Sequence, residues 1–430
     1  MFKPTEYIIK SVVTGDVCED SCWMLDFPGV KTPGTIRAIY ANKQLNVNQE
    51  YNGLYCYADW LPIKTILKCD SKPITYKSEG LAKLLGLSNL YITFSGYYPE
   101  KGAFMRTCSF KETEAYSICA RLSEEKRQEV IVVSSAGNTA RAFAQVCSDN
   151  NINLLLTIPE DNLNALWFEK PLNPCVKVLA TKSGSDYFDA INLGNIACEV
   201  EGFFAEGGAK NIARRDGMGT TMLSATTFIG RIPDYYFQAV GSGTGAIAAW
   251  EANLRFLEDG RYGKHKARIF VSQNRPFVPM YDAWKQDSRE LLPYDTEQAR
   301  IDANTIIAKV LSNRKPPYSL AGGLYDTLKD TNGDFFAVTN EEAEKAGIIF
   351  EDLEGIDINP AAAVATASLM QAVENNLVEK DAVIMLNITG GGEKRFKENK
   401  DLFYLKPTHI FDVDADREYI KEYVRNLFLF

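Results

Sequence analysis

Histidine is nearly absent: the chain has two, His265 and His409, among 430 residues. Histidine is the side chain whose ordinary pKa puts its charge change near neutral pH. Such a scarcity disfavours a Ser-His-Asp hydrolase and a histidine-rich metal site. His265 lies in the basic segment GKHKARIF and His409 in KPTHIFDV, and both read as solvated or capping side chains. Acid–base work then falls to lysine, a carboxylate or a cofactor. Long apolar runs are missing too. No uncharged stretch reaches the roughly 20 residues of a membrane span, and the start, MFKPTEYIIKSVV, lacks the apolar core of a signal peptide. Positive charge is in deficit: 47 Lys and Arg face 56 Asp and Glu, a formal net charge of -9. That argues against nucleic acid or an anionic membrane as the main partner, while local basic pockets remain open. The nine cysteines are odd in number and scattered, so they read as reduced thiols of a cytoplasmic protein. Cys18 and Cys22 have no second close pair with which to complete a structural zinc site.

What is present is an alternation. Apolar, β-branched runs at 130–134, 152–158, 176–180, 235–240, 267–272 and 382–388 read as strands buried on both faces. Segments 139–147, 185–195, 245–257 and 361–375 read as helices between them, and 416–427 as a terminal amphipathic helix. This rhythm predicts an α/β fold with a doubly wound parallel sheet. In such sheets ligands collect at the carboxyl ends of strands.

Three turns of the right kind follow strands. Ser134-Ser135-Ala136-Gly137-Asn138-Thr139 leads from VIVV into a helix and offers N–H groups and hydroxyls to an anion, or is a plain N-cap turn. Gly241-Ser242-Gly243-Thr244-Gly245 has the chemistry of a phosphate cradle, in which glycine permits close approach and the next helix adds its dipole. It matches the dinucleotide fingerprint only weakly, so a nicotinamide-dependent oxidoreductase is the non-resembling alternative. Thr389-Gly390-Gly391-Gly392 pairs a strand-end hydroxyl with three glycines, which implies a ligand, a crossing backbone or a flexible turn. Two further segments carry charge. Lys111, after Phe110 at the start of a probable helix, would be a partly desolvated amine, suited to Schiff-base chemistry and then to carrying a proton. Asn211 and Arg214 share a helical turn in NIARRDGMGT and could hold an oxyanion.

The order of these segments resembles the pyridoxal-phosphate enzymes of the tryptophan-synthase-like fold: a lysine in S-F-K, then S-x-G-N-T, then G-S-G-x-G, then a late hydroxyl followed by glycines. The segment from Asn211 through Arg214 and Gly217 to Thr220, and the phrase YNGLYCYADWLPI, are similar to threonine synthases. SSAGNTARAF, GGLYDTL, FEDLEGIDINPAAAVA and LNITGGGEKR resemble cysteate synthases, and this likeness covers about residues 50 to 400. One departure is local. Threonine synthases usually read T-G-S-F-K-D-R-G, whereas here Thr107-Cys108-Ser109-Phe110-Lys111 is followed by Glu112-Thr113-Glu114.

The resemblance implies a two-lobed fold type II enzyme with mixed and parallel sheets flanked by helices. It divides the chain into an extension and part of the large domain (1–100), a smaller domain (101–225) and a large cofactor-binding domain (226–430). It implies pyridoxal 5'-phosphate joined to Lys111, its phosphate at Gly241, Ser242, Gly243, Thr244 and Gly245, its ring hydroxyl at Asn138 and its ring nitrogen at Thr389. Ser135, Ala136 and Thr139 would hold the substrate carboxylate, and Asn211 and Arg214 the phosphate, with Arg106 a second candidate. The expected reaction is β-replacement: O-phospho-L-serine and sulfite give L-cysteate, a precursor of coenzyme M or sulfonolipids, and phosphate. Threonine synthesis from O-phosphohomoserine and a sulfide-using phosphoserine sulfhydrylase are the neighbouring alternatives. A cytoplasmic homodimer without nucleic acid, membrane or metal completes the expectation.

Overall fold

The apolar runs become the centres of two sheets in a computed structural model that describes residues 2–21, 23–135, 137–185, 187–313 and 316–428. The larger sheet has six strands, in the order Asp334–Val338, Arg268–Asn274, Tyr235–Ala239, Val383–Ile388, Asn89–Phe94 and Ile74–Lys77. All neighbours run parallel except the last pair, an antiparallel edge. Side-chain alternation sends its residues into two separate cores. Tyr235, Phe237 and Ala239 pack with helices Asn340–Glu354 and Pro360–Glu374. Tyr236, Val271 and Met385 face the opposite way, toward helices Ile212–Ile229 and Thr244–Asp259. Burial on both faces explains why these strands read as unbroken apolar runs.

The smaller sheet has five parallel strands, in the order Phe203–Ala205, Val130–Ser134, Leu154–Pro159, Val176–Thr181 and His409–Phe411. The chain thus returns at its far end to close the edge of a sheet built mainly from residues 130–205. An antiparallel sheet of Tyr7–Ser11, Val17–Cys18 and Ile36–Tyr40 adds Ile9, Ile36 and Tyr40 to the core around helix Thr244–Asp259. No helix among the described residues is long and apolar enough to cross a membrane. The eight described cysteines are free thiols, and no cluster of metal-ligating residues occurs among the described residues.

The element that joins the sheets is the long helix Ile212–Ile229, buried over most of its length although many of its residues are polar. Gly217 lets the lysine helix, Lys111–Arg121, cross it closely: a Cβ there would lie 2.4 Å from the Thr113 carbonyl oxygen. Gly219 faces the Ala248 carbonyl on helix Thr244–Asp259. The long helix is therefore clasped between the helix that begins with Lys111 and the helix that follows the glycine loop.

Candidate active site

Strand Val130–Ser134 ends in the serine-rich turn. The Ser134 hydroxyl bonds to the Thr157 hydroxyl at 2.7 Å, and the Ser135 amide donates to the Thr157 carbonyl at 3.1 Å. The Ser135 hydroxyl accepts from the Gly137 amide at 3.3 Å. Ala136 lies outside the described residues. Helix Asn138–Asn150 starts here, so its free N–H groups point at the turn. Arg141 fixes the orientation of Asn138. Its Nη2 donates to Asn138 Oδ1 at 3.0 Å and to the Thr107 carbonyl at 2.9 Å, and its guanidinium lies 4.1 Å from the Trp167 ring centroid. With Oδ1 engaged, the Asn138 amide nitrogen remains as the donor for a ligand.

Thr139 opens onto a chain of charges. Its hydroxyl donates to Glu114 Oε1 at 3.1 Å. The same oxygen takes Arg214 Nη1 at 3.1 Å, while Glu114 Oε2 takes Lys111 Nζ at 3.1 Å. Arg214 turns its other edge to Glu206, with Nη2–Oε1 at 2.6 Å and Nε–Oε2 at 3.3 Å. Glu114 has no exposed side-chain surface, whereas Lys111 keeps 20%. Burial pushes the Lys111 amine below the usual lysine range, Glu114 pulls it back up, and Arg214 opposes Glu114. Burial also disfavours the Arg214 charge, but Glu114 and Glu206 more than reverse that effect. Tyr187, at the start of helix Tyr187–Ala197, donates its hydroxyl to the Ser134 carbonyl at 3.2 Å and senses the charges of Arg214, Glu206 and Glu114.

Asn211 is the N-cap of the long helix. Its Oδ1 accepts from Ala213 N at 3.0 Å and from Arg121 Nη1 at 2.9 Å, and its Nδ2 donates to the Glu206 carbonyl at 2.6 Å. Its side chain thus ties the helix start, Arg121 and the turn that presents Glu206 to Arg214. Asp20 completes this support, pairing with the buried Arg121 at 2.8 Å and tying residues near the chain start to the far end of the lysine helix.

The neutral side of the site is built from backbone. The Phe110 amide donates to the Thr389 carbonyl at 2.9 Å, which places Thr389 beside Lys111. The Phe110 ring packs on Met218 and Ala248, one turn into the helix that follows Gly241–Gly245. That helix begins at Thr244 after Gly243, whose φ of +80° is a left-handed conformation that suits glycine. Ser242 and Thr244 join their hydroxyls at 2.8 Å. The three glycines after Thr389 are a backbone crossing. Gly391 N donates to the Cys108 carbonyl at 3.2 Å, Gly392 N to the Asp357 carbonyl at 2.8 Å, and the Gly390 carbonyl accepts from Asn359 N at 3.1 Å.

Lys111, Thr139 and Arg214 are thus joined through Glu114, with Asn138 next to Thr139 in the chain, Thr389 bonded to Phe110, and Phe110 packed on Ala248 one turn past the glycine loop. Arg106 is not brought in: its side chain pairs with Asp149, ten residues along the helix from Thr139, about 15 Å away. The histidines are also remote. His265 Nε2 lies 3.4 Å from an Asp234 oxygen, at the end of strand Tyr235–Ala239 opposite the glycine loop, and His409 packs among Phe411 and Tyr423. Glu114, Glu206, Arg141 and Tyr187 join the candidate site without having been singled out: Arg141 stands inside SSAGNTARAF and Glu114 just after the lysine motif, while Glu206 and Tyr187 lie in no motif. Only Glu114 carried a usable signal, its spacing of three from Lys111 on one helix.

A family model described as "Pyridoxal-phosphate dependent enzyme" matches residues 78–390. Curated cysteate synthases of Methanosarcina barkeri and Methanosarcina acetivorans are 49% and 50% identical to this chain, each over 86% of it and 89% of their own length. That of Methanospirillum hungatei is 46% identical over 94% of both chains. Among solved structures, threonine deaminase isoform 2 from Solanum lycopersicum aligns with a TM-score of 0.57 at 17% identity, over 74% of this chain and 83% of that one. Serine racemase from Dictyostelium discoideum aligns at 0.53 and 18%, over 74% and 92%. At these identities the solved structures establish fold type II, and no more. By family model and relatives alike, this chain belongs to the pyridoxal-phosphate-dependent enzymes, and among them to the cysteate synthases.

Proposed function

We propose that the protein replaces the phosphate of O-phospho-L-serine with sulfite, forming L-cysteate and inorganic phosphate. The observation that carries this reading is a mostly buried amine and a guanidinium joined by one carboxylate: Lys111, Arg214 and Glu114. A reaction that moves a proton at Cα and replaces a phosphate by a sulfonate at Cβ needs both groups within one substrate length.

The residues fit pyridoxal phosphate. A Cβ at Gly241 or Gly243 would meet Val310 O at 2.8 Å or Leu324 Cδ2 at 2.9 Å, so glycine lets this loop pack closely on the protein behind it, while the N–H groups at the start of the following helix suit a phosphate. Lys111 would hold the cofactor aldehyde, Asn138 the ring hydroxyl and Thr389 the ring nitrogen. The cofactor supplies an electron sink for the pair left when the Cα proton is removed. Lys111 takes that proton and later returns one to Cα. Ser135, Ala136 and Thr139 orient the substrate carboxylate. Arg214 receives the phosphate and then the sulfonate, because a donor fork shaped for one tetrahedral anion accepts the other. Asn211 fits a supporting place, capping the helix that carries Arg214.

The free cysteines support a reducing, cytoplasmic setting, and the resemblance to fold type II enzymes supports a homodimer, which light scattering on the purified protein reads directly. The functional test is a coupled phosphate-release assay with the product identified by mass spectrometry. Phosphoserine with sulfite yields cysteate. Phosphate release from O-phosphohomoserine alone would point to threonine synthesis, and cysteine formed with sulfide at a higher kcat/KM would point to a sulfhydrylase.

A further inference from the structure

Glu114 stands at the junction of the two groups that the reaction uses. Its two oxygens are divided between them: Oε2 faces Lys111 Nζ, and Oε1 faces Arg214 Nη1 and the Thr139 hydroxyl, each at 3.1 Å. It lies three residues after Lys111, in the first turn of a helix whose N-terminal dipole favours an acid. No side-chain surface of Glu114 reaches solvent, so water cannot replace any of these three contacts. A buried carboxylate with three donors is a fixed element of the site rather than a surface ion pair.

We infer that Glu114 is the positioning residue that couples proton transfer at Lys111 to anion exchange at Arg214. The inference rests on the β-replacement reading above and adds a residue to it. The first half of the coupling concerns the lysine. Whenever Lys111 carries the Cα proton, the ammonium needs a counter-ion in a site that has lost water. Glu114 is that counter-ion, and it also fixes where the nitrogen waits. The other charged groups around Lys111 are Arg214 from the long helix and Glu206 from the turn before it. The Tyr187 phenol borders the same charges. Burial and Arg214 weaken the amine as a base, whereas Glu114 and, to a lesser extent, Glu206 strengthen it.

The second half concerns the anion. Lys111 and Arg214 are matched by Glu114 and Glu206, so the four side chains carry no net charge. A guanidinium already engaged by two carboxylates holds phosphate less firmly than a bare one. That suits a subsite where phosphate must leave before sulfite can add. The overall exchange balances without Glu114 being consumed. The Cβ–O bond breaks, the Cβ–S bond forms, and hydrogen sulfite supplies the proton that departs on hydrogen phosphate. Lys111 removes one Cα proton and replaces one.

The test is Glu114→Gln in the cofactor-loaded enzyme. Its visible band and its borohydride-fixed label at Lys111 stay as in the parent. Deuterium exchange at Cα of phosphoserine falls by about tenfold or more, as expected for a lost charge-assisted contact to the base. Inorganic phosphate, as a competitive inhibitor, binds about three- to tenfold more tightly once one counter-ion of Arg214 is gone. kcat and KM for phosphoserine therefore fall together, and the acidic limb of the kcat profile moves to lower pH. Exchange and phosphate inhibition both within twofold of the parent would overturn the inference. Glu114→Asp separates charge from reach: parental phosphate affinity with slowed Cα exchange supports the coupling, and phosphate affinity equal to that of Glu114→Gln contradicts it. This second variant decides the matter if the first does not fold. Neither readout uses sulfite, so a parent enzyme that exchanges Cα but forms no cysteate refutes the reaction and leaves the role of Glu114 testable.

Discussion

Two walls of the site are built from different materials. One is charged and made of side chains: Lys111, Glu114, Arg214 and Glu206 in alternating sign. The other is neutral and made mainly of backbone: the turn Gly241–Gly245 at a helix start and the carbonyl of Thr389 bonded to Phe110. The difference follows what each wall must do. A cofactor that stays in place is well served by preorganised N–H groups that need no rearrangement. A substrate that loses one anion and gains another needs charges whose partners can change, and side-chain ion pairs provide them.

Four substitutions test this division. The largest effect belongs to Lys111→Ala, which removes the proposed proton carrier and cofactor anchor: turnover falls by at least about 10^3-fold, measured as phosphate release, with Glu114 left without its lysine partner. Arg214→Lys keeps the charge but loses the fork, and KM for phosphoserine rises by about tenfold to a hundredfold in the same assay. On the neutral wall, Gly243→Val places a branched side chain at φ +80° and against Leu324. It lowers cofactor content, read from the visible band, and costs about 1–3 kcal/mol of stability by denaturant titration. The smallest effect is at Arg106. Its pair with Asp149 is partly exposed, so Arg106→Ala changes kcat/KM by no more than about twofold and stability by about 1 kcal/mol or less. A tenfold loss there would mean that the charged wall extends farther than the contacts describe.

The neutral wall was the more legible in the sequence. Its glycines stand between apolar strands and helices, and such punctuation has few other uses. The strand centres were legible for the same reason, since burial on both faces leaves unbroken runs such as VIVV and AVIML. Strand Ile74–Lys77, ITYK at a half-exposed edge, carries no such run, and strand Asp334–Val338 has a short one, FFAV, behind an acid in a polar stretch. The long helix was visible only at its first turn. Arg214, Arg215, Asp216 and several threonines are all buried in it, satisfied by neighbouring helices and ion pairs, so no apolar stripe marks its course. The charged wall hid in the same way. Lys111 and Arg214 were suggested by their motifs, but Glu114 stands where the lysine segment departs from the familiar pattern, and Glu206, in no motif, is set opposite Arg214 by a turn that Asn211 holds together. Arg106, only five residues before Lys111, points to the other end of its neighbouring helix because Asp149 offers a partner there.

The most direct test of the account is borohydride reduction of the pyridoxal-phosphate-loaded protein, followed by tryptic mapping of the fixed label. The account predicts one labelled peptide, with the label on Lys111. A label on another lysine, or none in a protein that still turns over phosphoserine, would contradict it.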